Sequence, residues 1–289
     1  MAARFDTITF LSDYGTGDEF VGVVHSVIRS IAPHVTVIDL THEIAPYDVR
    51  AGSLTLGRAA QYLCPGVVLA VVDPGVGTDR RGVAIEVGGG QSYLVGPDNG
   101  LLASAVAMSG GATAAVELAN PELQLPAPGA TFAGRDIFAP AAAHLCNGVA
   151  LDELGPAIDP LHLLPGLIPI PRDADDGLAA EVLWVDRFGN CQLNLDPEEI
   201  VHLGDRVQLR WGEESRTAER STTYQDIPDG QLGLVLDSYG MLAICFGKRS
   251  AAAELSLSVG TEVILGEPGD DAATTRVSQP VTLSTRRTQ

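Results

Sequence analysis

Residues 1–72 alternate between two kinds of segment, and this alternation limits the possible fold more than any other feature of the sequence. Two segments carry apolar residues at helical spacing: Phe20–Ile31 and Val49–Tyr62. The three segments that alternate with them are short runs rich in β-branched residues: Thr7–Ser12, Val35–Leu40 and Val67–Val72. Strand-like runs that are apolar on both faces are typical of a parallel sheet covered by helices. We therefore predict an α/β amino-terminal domain with a mainly parallel sheet between helices.

The second half of the chain has a different pattern. Five prolines lie between Pro156 and Pro171, which favours a linker or an extended surface crossing. Short β-like runs follow: Ala180–Val185, Cys191–Leu195, Arg206–Trp211, Leu232–Leu236, Leu242–Cys245 and Glu262–Leu265. This spacing predicts a smaller all-β, barrel-like carboxy-terminal domain. We predict domains over residues 1–170 and 171–275, and a polar tail over 276–289.

Charge and hydropathy exclude several classes of partner. The chain carries 37 acidic and 18 basic residues, a formal charge of −19, and only one of the basic residues is a lysine. Without a basic stripe to displace counterions, nucleic acid is not expected as a partner. No apolar run is long enough to span a membrane and the amino terminus lacks a signal-peptide pattern, so we expect no membrane partner and a cytoplasmic location. The four cysteines are widely spaced and form no zinc or disulfide pattern.

Turns rich in Asp and Gly follow the strand-like runs, and the carboxyl ends of parallel strands meet at one edge of a sheet. Asp13 follows the first strand and could accept both hydroxyls of a ribose. The alternative is a glycine turn with Asp18 as a helix N-cap. A dinucleotide site, as in a nicotinamide dehydrogenase, is disfavoured because Phe20 stands where the third glycine of GxGxxG belongs.

A second candidate site is the pair formed by Asp73 and Arg80. Asp73 ends a buried strand, and the turn after it can bring Arg80 back to form a charge-assisted pair beside a pocket. From spacing alone the pair is either catalytic or a structural ion pair that holds a loop.

Five motifs of the chain are, in order, FLSDYG, VVDPGVG, GPDNGLL, FAGRDIFAP and DRFGN. They resemble those of the S-adenosyl-L-methionine hydroxide adenosyltransferases, which are also called adenosine-forming S-adenosylmethionine hydrolases. These enzymes are relatives of fluorinase and chlorinase. The resemblance covers residues from about 7 to about 266. It implies an α/β domain followed by a β-barrel, and a homotrimer that binds its substrate between the first domain of one subunit and the second domain of a neighbour. It also implies displacement by water or hydroxide at the 5′ carbon of S-adenosylmethionine, giving adenosine and L-methionine, with no metal or added cofactor.

The resemblance assigns roles to individual residues. In the first domain it implies that Asp13 binds the ribose hydroxyls, Tyr47 lines the ribose or adenosyl side, Phe132 flanks the reacting carbon and Gly134 faces the nucleophile. In the second domain it implies the following contacts: Phe188 and Asn190 with adenine, and Asp186 and Ser238 with the amino and carboxylate groups of the methionine part.

The hydrolase branch uses an Asp-Arg-His triad around the attacking water. Asp73 and Arg80 match its first two members, but Ala133 stands at the position where the resemblance implies the histidine. The loss of this histidine implies slowed hydrolysis. Two alternatives therefore stay open. One is a protein that binds S-adenosylmethionine or adenosine without catalysis. The other is a chlorinase-like 5′-halogenase, which is disfavoured because the Asp73 carboxylate would repel a halide near Gly134.

Overall fold

The computed structural model describes residues 4–268, and the chain divides into two compact units between Ile168 and Pro169. The sequence predicted a boundary after residue 170, and the predicted tail over 276–289 lies outside the described residues.

The helices are α1 Phe20–Ile31, α2 Val49–Ala59, α3 Ala103–Met108, α4 Ala139–Cys146 and α5 Ala251–Leu255. The strands are β1 Thr7–Ser12, β2 Thr36–Thr41, β3 Val67–Val71, β4 Gly82–Val87, β5 Ser92–Pro97, β6 Ala112–Glu117, β7 Ala157–Ile158, β8 Arg172–Ala174, β9 Gly177–Val185, β10 Cys191–Leu193, β11 Arg206–Trp211, β12 Glu214–Ser221, β13 Leu232–Leu236, β14 Leu242–Phe246 and β15 Glu262–Gly266.

The first unit contains a seven-stranded mixed sheet in the order β2-β1-β3-β5-β4-β6-β7. The four strands β2, β1, β3 and β5 are parallel, as predicted, whereas β4, β6 and β7 pair antiparallel. The prediction of a mainly parallel sheet is confirmed for the strands on which it rested, and the three other strands add an antiparallel edge. A short turn over Gly88–Gly90 joins β4 to β5, and so tight a connection permits only antiparallel pairing.

Helices cover both faces of this sheet. Along β3, Leu69 packs in one core cluster with α1 and α4, while Ala70 packs in another cluster with α2 and α3. Since every residue of β3 is buried, the strand is apolar on both faces, as the sequence predicted. At the carboxyl end the Asp13 amide donates a 3.3 Å hydrogen bond to the Val71 carbonyl. This bond brings the turns after β1 and β3 to one edge of the sheet.

The second unit is a closed seven-stranded barrel, which confirms the predicted barrel-like domain. Strands β9, β10, β14, β13, β12, β11 and β15 pair in that order, β15 pairs again with β9, and β8 pairs with β9 outside the ring. Its core contains Val182, Leu193, Leu209 and Ile244. Strand β12 was not predicted. Between residues 4 and 268, no helix is long and apolar enough to cross a membrane.

Candidate active site

A cleft of about 450 Å³, which we call the amino-terminal cleft, opens at the carboxyl ends of β1 and β3. It is lined by Asp13, Tyr14, Asp18, Phe20, Pro46, Tyr47, Val71, Asp73, Val76, Thr131, Phe132, Ala133 and Gly134. Six of the seven residues predicted in this domain therefore meet in one place; the seventh, Arg80, reaches the cleft through Asp73. The volume is that of a site for a small molecule.

Asp13 organises one wall of the amino-terminal cleft. Its Oδ2 accepts a 2.9 Å hydrogen bond from the Tyr47 amide. Tyr47 has a φ of 70°, which is unfavourable for a residue with a side chain, and 73% of its surface is exposed. Strained residues of this kind cluster at functional sites. The alternative role for the turn, N-capping by Asp18, is not observed: Glu19 occupies the N-cap of α1 and no side chain caps the helix.

Asp73 and Arg80 form a buried ion pair at this cleft. Arg80 Nη2 lies 2.5 Å from Asp73 Oδ2, and the two side chains are 13% and 5% exposed. The guanidinium also donates to the Arg81 carbonyl at 2.8 Å and lies over the Phe138 ring. Burial raises the pKa of Asp73 above its ordinary value although Arg80 opposes the shift, and the nearby Asp13 adds to it.

The second oxygen of this carboxylate has no partner. Asp73 Oδ1 is buried and accepts no hydrogen bond from the part of the chain that the structure describes. A buried acceptor without a partner is costly to maintain. Asp73 lines the cleft, but this oxygen has almost no exposed surface, so a water or a ligand reaches it only if the side chain moves.

The motif FAGRDIFAP forms a single π-helical turn over Gly134–Phe138, and α4 follows it directly. Such turns occur frequently at functional sites. A Cβ on Gly134 would lie 2.2 Å from the Tyr14 hydroxyl oxygen and 3.4 Å from the Phe132 ring. Gly134 is therefore required because the Tyr14 hydroxyl occupies the space that a side chain would need. Ala133, just before the turn, is buried.

Tyr14 is the residue of this cleft that the sequence reasoning missed. Its ring makes edge and tilted contacts with Phe132 and Phe20, so three aromatic rings form an apolar wall. Burial, with the nearby charges of Asp13, Asp73 and Asp136, raises the pKa of Tyr14 far above its ordinary value. The hydroxyl therefore stays protonated and can donate a hydrogen bond. The only signal in the sequence was its position directly after Asp13.

A second cleft, the carboxy-terminal cleft, lies in the barrel unit and has a volume of about 720 Å³. It is lined by Asp186, Phe188, Asn190, Tyr224, Gln225, Ile227, Ser238, Phe246, Lys248, Arg249 and Ser250. All four residues predicted in this domain are present. Sequence reasoning missed Tyr224 and the adjacent cations Lys248 and Arg249, which stand outside the motifs. Phe188 is 77% exposed, and an exposed aromatic face in a polar cleft is suited to stacking on a planar ligand.

Asp186 holds the turn that carries Phe188. Its Oδ1 accepts from the amides of Phe188 at 2.8 Å and Asn190 at 2.9 Å, and its Oδ2 accepts from Asn190 Nδ2 at 2.8 Å. Gly189 has a φ of 83°, and its position is closed by Ser250, whose hydroxyl would lie against a Cβ there. The carboxylate therefore has a structural role in fixing the two residues predicted to contact adenine.

The two domain models of one family match this chain. The amino-terminal domain of the SAM hydroxide adenosyltransferases matches residues 8–155, and the carboxy-terminal domain of the same family matches residues 180–264. The chain belongs to this family. Each domain of the SAM hydroxide adenosyltransferase fold carries one of the two clefts.

Named relatives agree with the family assignment. The chain is 44% identical over 253 residues to an (R)-S-adenosyl-L-methionine hydrolase of Salinispora tropica, covering 88% of this chain and 95% of the relative. It is 40% identical to one of Thermus thermophilus, covering 89% and 98%. A fluorinase of an Actinoplanes species is more distant, at 28% identity over 89% of this chain and 96% of the relative.

The fold is also similar to that of solved structures. A crystal structure of an uncharacterized conserved protein from Thermotoga maritima matches with a TM-score of 0.83 and 34% identity, covering 90% of this chain and all of the other. One of a conserved hypothetical protein from Thermus thermophilus matches with a TM-score of 0.72 and 35% identity, with the same coverage. The α/β unit followed by a barrel is therefore the fold of this family.

Proposed function

We propose that this protein hydrolyses S-adenosyl-L-methionine to adenosine and L-methionine. The observation that carries the proposal is the buried Asp73–Arg80 pair in the amino-terminal cleft, with Asp73 Oδ1 left without a partner. A small movement of the Asp73 side chain would bring this oxygen to the surface of the cleft, where it is suited to hold a water molecule. The family membership and the names of the 40–44% identical relatives support the same reaction.

The reaction mainly requires the protein to align the attacking water with the 5′ carbon and the sulfur. The oxygen of water bonds to the 5′ carbon, the bond from this carbon to sulfur breaks, and its electron pair neutralises the sulfonium as methionine leaves. Asp73 accepts the proton of the water, and the raised pKa makes it a better base than an exposed aspartate. A dry, aromatic wall favours the reaction, because attack by a nucleophile of hydroxide character on a cation disperses charge in the transition state.

We propose that the Tyr14 hydroxyl donates a second hydrogen bond to the attacking water. The hydroxyl lies against the Cα of Gly134, in the same cleft as Asp73, and donates no hydrogen bond to another of the described residues. Asp73 as acceptor and Tyr14 as donor would fix the water from two sides, leaving a lone pair for attack. Such orientation is a principal source of rate in displacement reactions.

Ala133 is proposed as the position of the family histidine, so the water would lack its third partner and turnover would be slow.

For the substrate, we propose that Asp13 binds the ribose hydroxyls and that Tyr47 and Phe132 line the adenosyl side. In the second unit, Phe188 and Asn190 would hold adenine, and Asp186 and Ser238 the methionine part. The free lone pair of Asp186 Oδ2 leaves room for an ammonium donor beside Asn190.

We further propose a homotrimer, in which the amino-terminal cleft of one subunit and the carboxy-terminal cleft of a neighbour hold the two ends of one substrate. The support for this is that the residues proposed to bind the nucleoside lie in two units, each with an open cleft of its own. The remaining proposals are a cytoplasmic location, no nucleic-acid or membrane partner, and no cofactor in the reaction.

The test is incubation with S-adenosylmethionine, with and without chloride, followed by chromatography. We expect adenosine and L-methionine in equal amounts, and we expect Asp73→Asn to abolish their formation without loss of substrate binding. Bound but unchanged substrate would identify a binding protein instead, and 5′-chloro-5′-deoxyadenosine would identify a halogenase. Either result would overturn the proposal.

A further inference from the structure

A cluster of two histidines and one aspartate lies outside both clefts, behind the turn that follows β1. His25 belongs to α1, Asp39 to β2, and His42 follows β2. Asp39 Oδ1 lies 2.8 Å from His25 Nε2 and 3.0 Å from His42 Nε2. The three ligand atoms all lie within 4.8 Å of one another. We call these residues the His25–Asp39–His42 cluster.

Both imidazoles are held in place by their surroundings. The side chain of His42 is 5% exposed, its ring lies 4.6 Å from that of Phe10, and its Nδ1 lies 2.8 Å from Ser12 Oγ. The His25 ring lies 6.2 Å from the same phenylalanine. Metal-binding histidines commonly use the second ring nitrogen for such a hydrogen bond, which fixes the orientation of the ring.

The innermost nitrogen of the cluster has no satisfactory partner. His42 Nε2 is buried and, although Asp39 Oδ1 is near, the geometry of the contact is not that of a hydrogen bond. When His42 carries its proton on Nδ1 and donates it to Ser12, the lone pair of Nε2 points towards the carboxylate. In this tautomer two lone pairs face each other, and a cation bound between them would remove the repulsion.

We propose that His25, Asp39 and His42 bind a divalent transition-metal ion of the zinc type through Nε2, Oδ1 and Nε2. Two imidazoles and a carboxylate are a ligand set for such ions, and three protein ligands leave a position for water. Asp39 is 43% exposed, so this position can open to solvent. Bonds of about 2.1 Å in tetrahedral geometry separate ligand atoms by about 3.4 Å, so each imidazole needs to move away from Asp39 Oδ1 by only about half an ångström.

Charge favours the ion as well. The net charge of −19 attracts cations to the surface of the protein. The ion would lie behind the turn that carries Asp13 and Tyr14, because the Gly15 amide donates to the His42 carbonyl at 2.7 Å. We assign it no step in the reaction, and the inference does not depend on the proposed function.

The test is calorimetric titration of the chelator-treated full chain with ZnCl₂, and of the same protein with CoCl₂ followed by visible absorption. We expect one ion per chain and cobalt bands typical of fourfold coordination. We expect His25→Ala and Asp39→Asn each to weaken binding more than tenfold. These residues are suited to the test because both are partly exposed, and circular dichroism reports whether the variants keep their fold.

Matched controls are His202→Ala, an exposed histidine of the barrel unit, and Cys64→Ser, an exposed thiol. Both should leave the stoichiometry and the affinity unchanged. The proposal is overturned if no ion binds, if binding survives the loss of His25 and Asp39, or if either control removes it. The cluster would then be only an aspartate that pairs with two histidines.

Discussion

At the scale of single residues, Asp13 Oδ2 accepts a hydrogen bond from the Tyr47 amide, and the ribose hydroxyls are the further partners proposed for this carboxylate. We expect Asp13→Ala to weaken the binding of adenosine and of S-adenosylmethionine by about 1.5–3 kcal/mol, the cost of losing hydrogen bonds to a charged group. Calorimetry with adenosine measures this directly. Glu19→Ala removes an equal charge from outside the cleft lining and serves as the control. If Asp13→Ala and Glu19→Ala bind adenosine with equal affinity, Asp13 does not bind the ribose.

Tyr14 gives a sharper test, because the change from tyrosine to phenylalanine deletes a single oxygen. We expect Tyr14→Phe to lower kcat about ten- to a hundredfold, the value of one hydrogen bond to an ionic group, while KM changes little. The ring contacts with Phe20 and Phe132 remain. Tyr62→Phe, an exposed tyrosine outside the cleft, should have no effect. A rise in KM at constant kcat would show that the hydroxyl contacts substrate instead of water.

Ala133 leads to the opposite prediction, a gain of activity. Ala133→His should raise the single-turnover rate about 10²–10⁴-fold with little change in substrate affinity, because a positioned base acts mainly in the transition state. Ala133 borders both the amino-terminal cleft and a neighbouring one that Arg80 lines, so a ring has space on that side. Ala133→Leu adds bulk without a base and should give no gain. Equal rates of the histidine and alanine forms would show that a histidine here has no catalytic role, so that only Asp73, Arg80 and Tyr14 would orient the water.

Sequence reasoning found the site residues that lie in the motifs and missed those whose place at a cleft depends on side-chain direction or on distant parts of the chain. Asp13 and Asp73 follow buried strands, so their position at the sheet edge follows from topology. The function of Tyr14 depends on where its hydroxyl points, which the pattern of residues does not specify. The same limit applies to Lys248 and Arg249, whose presence at the second cleft results from the closure of the barrel.

At the scale of elements, the predictions held where a segment is buried and failed where backbone pairing decides. The bounds of β1, α1, β11 and β13 agree with those predicted. Strand β12 escaped prediction because its sequence ESRTAERS contributes only Ala218 to the core. It is held between β11 and β13 by backbone hydrogen bonds, which any sequence can make.

The π-helical turn makes a prediction about stability. We expect Gly134→Ala to lower the free energy of unfolding by about 1–3 kcal/mol, a typical cost of overpacking. The new Cβ would lie 2.2 Å from the Tyr14 hydroxyl oxygen but 3.2 Å from the ring carbon behind it. Adding Tyr14→Phe should therefore restore most of the loss, which urea unfolding of the single and double variants measures. Additive effects of the two substitutions would contradict this contact.

At the scale of the whole molecule, the division of the site between two units predicts an assembly. This division is itself proposed: each unit has a cleft that contains only part of the residues assigned to the nucleoside and to the methionine part. We expect light scattering to give three times the 30.2 kDa mass of one chain. A homotrimer is a closed ring, so each first unit can face the second unit of the next subunit.

Co-expression of two variants, each impaired in one unit and assayed at a substrate concentration too low for either variant alone to act, tests this sharing of the site. Asp13→Ala damages only the first unit, and Phe188→Ala damages only the second. In randomly mixed trimers about a quarter of the sites would combine an intact first unit with an intact second unit from a neighbour, and activity should return to about that fraction. Sites built within one chain would recover nothing. Co-expression of Asp13→Ala with Asp73→Asn is the control, because both damage the first unit and no arrangement of subunits yields an intact site. Activity in that control, or none in the test pair at the mass of a trimer, would contradict a site shared between subunits.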